Sequence, residues 1–334
     1  MIEQFAKKHN LPKYRVVQFN QKYYKEYISS FDELTTWSKD LREILKKEIS
    51  FSKLIFQSTN YSENRDTQKV LFKTERGNYV ESVLIKEKDR NTVCVSCMSG
   101  CPVGCVFCAT GQMGLNESLD SQQILDQILY FARELNSKNQ KITNIVYMGM
   151  GEPLLNLKNV SHSISVITDK DKLAFSKRRV TVSTSGYVQN LRSFINKNLG
   201  VKLAISLHSP NQELRDFLMP NVSKSNSIKE LFKVLDQYVE KTNKRVTFEY
   251  VLLRDINDSV DNAKELANLL KGRLCLVNLI NYNENECLPF KKSKNTLLFK
   301  KILEERGITC TIRKSLGEEI KGACGQLSVR ANDC

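Results

Sequence analysis

No run of apolar residues in this sequence approaches the roughly 20 in succession that a membrane-spanning helix requires. The opening MIEQFAKKHNLPKYR lacks an apolar core followed by a small-residue cleavage site. It does not read as a secretory signal, and a cytoplasmic chain with no membrane attachment is expected. Glycine and proline are scarce, 14 and 6 among 334 residues, which excludes collagen-like and low-complexity chains. Acidic residues are also in short supply: 37 Asp and Glu face 51 Lys and Arg, leaving a net charge of +14. With 41% hydrophobic and 26% charged residues, the chain is long enough for a sizeable core, expected as one large domain with a smaller appendage.

A basic surplus attracts phosphate backbones and makes nucleic acid the leading partner class. A Lys- and Asn-rich composition that has drifted basic without binding anything accounts for the same surplus, so charge alone leaves both readings open. Ten cysteines in a cytosolic chain do not suggest a disulfide framework, because ordinary thiols stay reduced there. Five of them, Cys94, Cys97, Cys101, Cys105 and Cys108, fall within fifteen residues, and such clustering points to a metal or redox site.

The first fifty residues have apolar positions at helical spacing, broken near Pro12 and at Ser29-Ser30, and read as a small helical accessory domain over 1–50. Residues 51–90 alternate apolar and polar positions around Arg76-Gly77-Asn78, as a β-hairpin linker does. From Thr92 onward, β-branched runs alternate with amphipathic helices: TVCVSCM, ITNIVYMGM, RRVTVSTS, VKLAISLH, RVTFEYVLL, CLVNLINY and a closing ITCTIRKS. About six βα units over 91–334 predict an α/β fold, a partial (β/α)6 barrel. Chemistry in such barrels sits at the C-terminal strand ends, where the unusual residues cluster: 101–108, 149–152, 183–186, 206–208 and Asn278.

Cys101-Pro-Val-Gly-Cys105-Val-Phe-Cys108 presents three thiolates from one tight loop, with Gly104 relieving the backbone. Structural zinc and ordinary electron-transfer clusters recruit four ligands, whereas three thiolates on a four-iron cluster leave one iron open to a substrate. Zinc with Cys97 as a fourth ligand is the competing reading.

At this loop the chain resembles the radical-SAM enzymes, whose signature is this spacing with an aromatic residue before the last cysteine. The likeness extends through Cys94-Val-Ser-Cys-Met-Ser-Gly-Cys101, Cys108-Ala-Thr-Gly-Gln-Met-Gly114, Met148-Gly-Met-Gly-Glu-Pro-Leu-Leu-Asn156, Val182-Ser-Thr-Ser-Gly186, Ser206-Leu-His-Ser-Pro210 and Ala323-Cys-Gly-Gln-Leu327. Together these are similar to the dual-specificity RNA adenine carbon-2 methyltransferases, the RlmN-like family. The resemblance spans nearly the whole chain.

It implies a [4Fe-4S] cluster on Cys101, Cys105 and Cys108, with S-adenosylmethionine chelated at the open iron and two molecules consumed per turnover. It implies further that Cys324 carries a methyl group taken from the first molecule. A deoxyadenosyl radical made from the second abstracts hydrogen from it, and the methylene radical adds to adenine carbon 2. Cys94 then attacks the Cys324 sulfur to free the base as a disulfide forms, and a reductant restores the dithiol. The chemical need is plain: carbon 2 lies between two ring nitrogens and is too electron-poor to attack a methyl sulfonium.

By the same resemblance, Glu81 is the proton acceptor, and Gly151, Glu152, Ser183, Ser206, Leu207, His208 and Asn278 contact S-adenosylmethionine. Read without it, Glu81 is an outward-facing strand residue, Glu152 a surface turn and His208 a core histidine. Cys97, Cys275, Cys287, Cys310 and Cys334 read as ordinary thiols, with Cys97 near enough to compete as a ligand or disulfide partner. The implied partners are 23S ribosomal RNA at the peptidyl transferase centre, the transfer-RNA adenine 3′ of the anticodon and an electron donor such as flavodoxin, and the implied state is a monomer. The sister carbon-8 methyltransferases (Cfr-like), a non-catalytic iron–sulfur RNA-binding protein and a zinc-stabilised RNA-binding module are the alternatives.

Overall fold

The computed structural model describes residues 2–223 and 226–328. Twelve strands are found among them: β1 (Leu54–Tyr61), β2 (Thr67–Thr74), β3 (Tyr79–Glu87), β4 (Arg90–Cys94), β5 (Met98–Gly100), β6 (Leu115–Ser118), β7 (Asn144–Tyr147), β8 (Val180–Thr184), β9 (Lys202–Ser206), β10 (Val246–Leu252), β11 (Cys275–Asn281) and β12 (Cys310–Arg313). Ten form one sheet in the order β1-β2-β3-β4-β7-β8-β9-β10-β11-β12, while β5 and β6 make a separate antiparallel ribbon. Pairing is parallel from β4 to β12. Six strand–helix units followed by a closing strand reproduce the partial barrel expected from the alternation.

The helices begin where side chains take up the unpaired first-turn amides. Asp120 caps Ser121–Asn136 by accepting from Gln122 and Gln123, and Gln123 returns the bond in a capping box. Ser227 caps Ile228–Thr242 by accepting from the Glu230 amide, and Ser259 caps Val260–Leu270 in a capping box with Asn262. Two helices between strands, Val188–Lys197 and the short Gln212–Leu218, went unread in the sequence pattern.

Residues 51–90 depart from a simple hairpin linker. They form a three-stranded antiparallel meander, β1-β2-β3, whose last strand pairs with β4 and so extends the barrel sheet. The expected turn is present, with the Gly77 amide bonded to Thr74 and the Thr74 amide to Asn78. The alternation fails on β2 and β3, which are buried on both faces. The helix Ser121–Asn136 covers one side through Gln68–Glu134 (2.6 Å) and an edge-on Phe72–Tyr130 contact. The C-terminal segment covers the other, where a Cβ on Gly317 would meet Thr67 at 2.5 Å.

The N-terminal helices Ile2–Lys8, Lys13–Asn20 and Lys39–Glu48 break where expected, at Asn10–Pro12 and at Ser29–Ser30. Their aromatic residues Phe5, Phe19, Tyr23 and Trp37 share one uninterrupted core with Leu84, Val93 and Ile124 of the barrel. Asp126 stitches the seam, accepting from the Lys53 amide (2.7 Å), the Ser52 hydroxyl (3.1 Å) and Gln122 (2.7 Å). No described helix is long and apolar enough to cross a membrane.

Candidate active site

The cysteine loop hangs between β5 and the single helical turn Ala109–Gln112. Gly104 sits at φ +68°, and a Cβ there would lie 2.9 Å from the Asn221 amide, which itself holds the Pro102 carbonyl. All three cysteines line one cleft of about 950 Å³ at the C-terminal mouth of the barrel, together with Gly151, Glu152, Ser183, Ser206, His208 and Cys324.

Burial pushes the Cys101 thiol up to about 12 and raises Cys105 and Cys108 as well. Backbone amides oppose this, those of Val103 and Gly151 at Cys101 and those of Thr110 and Gly111 at Cys108. Thiols this buried and met by directed N–H groups suit a metal-bound thiolate. Cys97 is packed in the main core and does not reach the cleft, which removes the proposed fourth zinc ligand. A polynuclear cluster, taking each thiolate on its own iron, fits the donor set.

Glu152 is buried rather than a surface turn. Its carboxylate accepts from the Leu154 amide (2.9 Å), the Thr184 hydroxyl (2.5 Å), and the Ser185 amide (2.8 Å) and hydroxyl (2.7 Å). Four donors occupy the roughly four acceptor positions of a carboxylate. Glu152 therefore ties the end of β7 to the end of β8, and the backbone of the Gly149–Gly151 turn is what it presents to a ligand. Burial raises its acid, and those four bonds pull it back.

His208 is held at φ +58°, edge-on to Phe107. Its Nδ1 accepts from the Val251 amide at 3.0 Å, and burial beside Arg215 pushes its pKa down to about 3, so it is a neutral ring with its proton on Nε2. Leu207 faces the core and has only backbone near the cleft, bonded through its amide to Glu249. Asn278 does not line the cleft; it donates to Glu249 (3.1 Å) and accepts from Thr311 (2.5 Å).

Glu249, missed in the sequence, does line the cleft, and its Oε2 is buried without a partner, as is the Tyr282 hydroxyl. These orphaned atoms fit a ligand bearing amine and hydroxyl groups such as S-adenosylmethionine. A lone carboxylate inside the apolar run RVTFEYVLL was the available signal.

Cys94 ends β4 and lines a second, adjoining cleft of about 700 Å³ with Cys108, Arg313 and Cys324. Cys324 and Arg313 belong to both clefts. The Cys324 loop is pinned on three sides: Ala109 amide to Gly325 carbonyl (2.8 Å), Thr110 hydroxyl to Leu327 carbonyl (2.5 Å) and Asn283 to the Cys324 carbonyl (3.0 Å). Burial and the neighbouring Cys324 push the Cys94 thiol up to about 12, opposed by Arg313. Arg313 is itself raised, chiefly by Cys324, and donates to the Met148 sulfur at 3.2 Å. The sequence passed over this arginine, although it closes the last strand.

Glu81 is buried, not outward-facing, and lines neither cleft. It pairs with Lys69 at 2.8 Å, and Lys69 also donates to the Lys321 carbonyl (3.3 Å) beneath the Cys324 loop. Burial raises its acid and Lys69 opposes the rise, while its Oε2 has no partner. Of the remaining cysteines, Cys275 and Cys310 are free thiols. Cys287 is disulfide-bonded instead of free, and Cys334 lies outside the described residues.

Comparison with known proteins agrees with this geometry. A family model described as the radical SAM superfamily matches residues 95–267. The chain is 42% identical over 318 residues to a probable dual-specificity RNA methyltransferase RlmN of Dictyoglomus turgidum, covering 95% of this chain and 90% of that one. It is 41% identical over 337 residues to the dual-specificity RNA methyltransferase RlmN of Campylobacter jejuni, covering 96% and 94%. The crystal structure of a radical SAM methyltransferase from Sphaerobacter thermophilus superposes with a TM-score of 0.95 at 40% identity, covering 97% of this chain and 96% of that one. A three-thiolate loop in a barrel mouth, with a likeness of about 40% identity to these enzymes over nearly the whole chain, places the chain in the RlmN family of radical SAM RNA methyltransferases.

Proposed function

We propose that this enzyme methylates carbon 2 of adenine in 23S ribosomal RNA and in transfer RNA, through a methyl group carried on Cys324. One observation carries the reading: Cys324 stands on the boundary between the cleft of the cluster cysteines and the cleft of Cys94. A residue that must first be activated by a cofactor and then be attacked by a thiol needs that position.

Cys101, Cys105 and Cys108 are the cluster ligands in this reading, and the Gly151–Glu152 turn, Ser183, Ser206, His208 and Glu249 surround S-adenosylmethionine. Leu207 contributes backbone, and Asn278 acts by orienting Glu249. When bound, the cluster and its ligand supply a hydrogen-abstracting carbon radical. Cys324 then presents the one-carbon unit, and Cys94 releases the product by forming an S–S bond as the S–C bond breaks. Arg313 supplies the cation that favours the attacking thiolate. Glu81 is proposed as the proton acceptor, which requires the base to approach from the side of the Cys324 loop. An electron donor such as flavodoxin supplies the electron for the reductive cleavage, a reductant restores the dithiol, and the enzyme is proposed as a cytoplasmic monomer. The accessory helices 1–50, the meander 51–90 and the barrel 91–334 are proposed as the working divisions of the chain, with the basic surplus serving the RNA.

Peptide mass spectrometry of Cys324 in protein purified without oxygen tests the reading. A methyl group on Cys324 that is absent from Cys101→Ala is expected; an unmodified Cys324 in protein with a full cluster and S-adenosylmethionine overturns it. Chromatography of nucleosides from treated RNA then decides the ring position, and an exclusively carbon-8 product rejects carbon 2.

A further inference from the structure

Among the described residues, Arg215 is the largest side chain with essentially no exposure. It lies on the short helix Gln212–Leu218, behind the wall of the cofactor cleft. One guanidinium nitrogen donates to the Ser185 carbonyl at 2.5 Å, while Nε and the other terminal nitrogen are buried without any partner. Burying a guanidinium with two unmet donors costs several kcal/mol unless an anion or acceptor meets them.

The helix that carries it is clamped to the cluster loop. Leu214 and Leu218 pack with Val103 and Phe107 and against Cys101, Cys105 and Cys108, and the Val106 amide bonds to the Leu218 carbonyl at 3.1 Å. Asn221, just beyond, holds the Pro102 carbonyl. Cys105 and the adjacent Asp216 are the groups whose negative charge, when ionised, would act on Arg215. The wall residue His208 is a neutral ring, so it supplies no competing positive charge.

We propose that Arg215 is the fixed counter-charge of the cluster, placed behind the Cys105 ligand to stabilise the reduced state. The inference rests on the cluster reading above. Reduction adds one negative charge to a site excluded from water, and a nearby buried cation lowers the cost of that charge. The unmet donors are the mark of an anionic partner, and the cluster and its thiolates are the anion this face of the loop holds. Through Ser185 the same guanidinium touches the residue that fixes Glu152, so it also braces the cofactor turn.

The test compares parent, Arg215→Met and Arg215→Lys, all loaded with iron and sulfide without oxygen. Iron and sulfide are counted, and reduction is followed by electron paramagnetic resonance at controlled potentials, first without S-adenosylmethionine. Met fills similar volume without charge. At the parent midpoint its reduced-to-oxidised ratio is expected to fall about tenfold, equivalent to about 59 mV for one electron. Lys keeps the charge and is expected to stay within about threefold of the parent.

Equal midpoints in all three proteins at equal iron content overturn the proposal. So does a Met variant with an unmoved midpoint and weaker S-adenosylmethionine binding, which assigns the charge to that ligand's carboxylate. If the Met variant fails to fold, Arg215→Gln, uncharged but still able to donate to the Ser185 carbonyl, takes its place: a reduced-to-oxidised ratio that falls as predicted for Met supports the counter-charge, and a midpoint equal to the parent's overturns it. Failure of the parent itself to hold a cluster would instead strike the functional reading.

Discussion

The two halves of the active site are built in opposite ways. The cluster loop collects its three thiolates within eight residues, held by turns, one positive-φ glycine and local amides. The thiol pair collects Cys94 from the end of β4 and Cys324 from beyond β12, and only sheet pairing and the docking of the C-terminal segment bring them to one cleft. A local site survives changes elsewhere in the fold, whereas a long-range one depends on every contact that docks its parts.

The sharpest separation comes from single cysteine variants. Cys101→Ala and Cys94→Ala are both expected to lower multiple-turnover methylation by more than about a thousandfold. They differ in what remains: the first loses bound iron, measured by metal analysis. The second keeps its iron and accumulates RNA covalently joined to Cys324, seen as a shifted band on denaturing gels. Loss of iron from Cys94→Ala would erase the distinction between the halves.

The docking of the Cys324 loop is tested through Lys69, which joins buried Glu81 to the Lys321 carbonyl. Lys69→Met strands a buried carboxylate and is expected to cost about 3 kcal/mol, read from denaturant midpoints. Removing the cation that holds Glu81 down raises its pKa further, so the acid limb of the methylation pH profile moves to higher pH. An unmoved limb would remove Glu81 from the proton-acceptor role while leaving the cluster half untouched.

A smaller long-range contribution lies at the Asp126 seam. Burial raises this acid to about 6, above its unfolded value, so between about pH 4 and pH 6 the folded chain holds a proton that the unfolded chain has lost. That part of the stability is complete below pH 4 and is lost as pH rises to 6, amounting to about 3 kcal/mol at most. Asp126→Asn is expected to flatten the slope of urea midpoints across this window. On the local side, Cys97→Ala is expected to cost about 1 kcal/mol and to leave iron content unchanged, because Cys97 is packed in the core.

The same division explains which parts of the protein were legible in its sequence. Strand–helix alternation, the hairpin turn at Gly77 and the helix breaks at Pro12 and Ser29 are short-range patterns, and the structure carries them as read. The alternation of β2 and β3 misled: it made Glu81 an outward-facing strand residue, whereas Glu81 and its neighbours Gln68 and Lys69 turn inward. They are buried under a helix and the C-terminal segment, partners that lie 60 to 250 residues away. Glu152 was read as a contact to S-adenosylmethionine, and its carboxylate is filled by Leu154, Thr184 and Ser185, the last two of which no spacing rule pairs with it. Glu249, Arg313 and Arg215 were overlooked for a related reason: a charged residue in an apolar run or a short helix means little until its burial is known.

From residue order alone follow the three-thiolate loop, the repeated βα units and the presence of two further cysteines in recognisable settings, since these depend on neighbours a few positions apart. Folding in three dimensions settles the rest. It seats Cys324 between two clefts, sets Arg313 beside both thiols, ties Glu81 to Lys69 and buries Arg215 behind the cluster loop. Charge, desolvation and approach are properties of what surrounds an atom, and those surroundings are assembled from segments hundreds of residues apart.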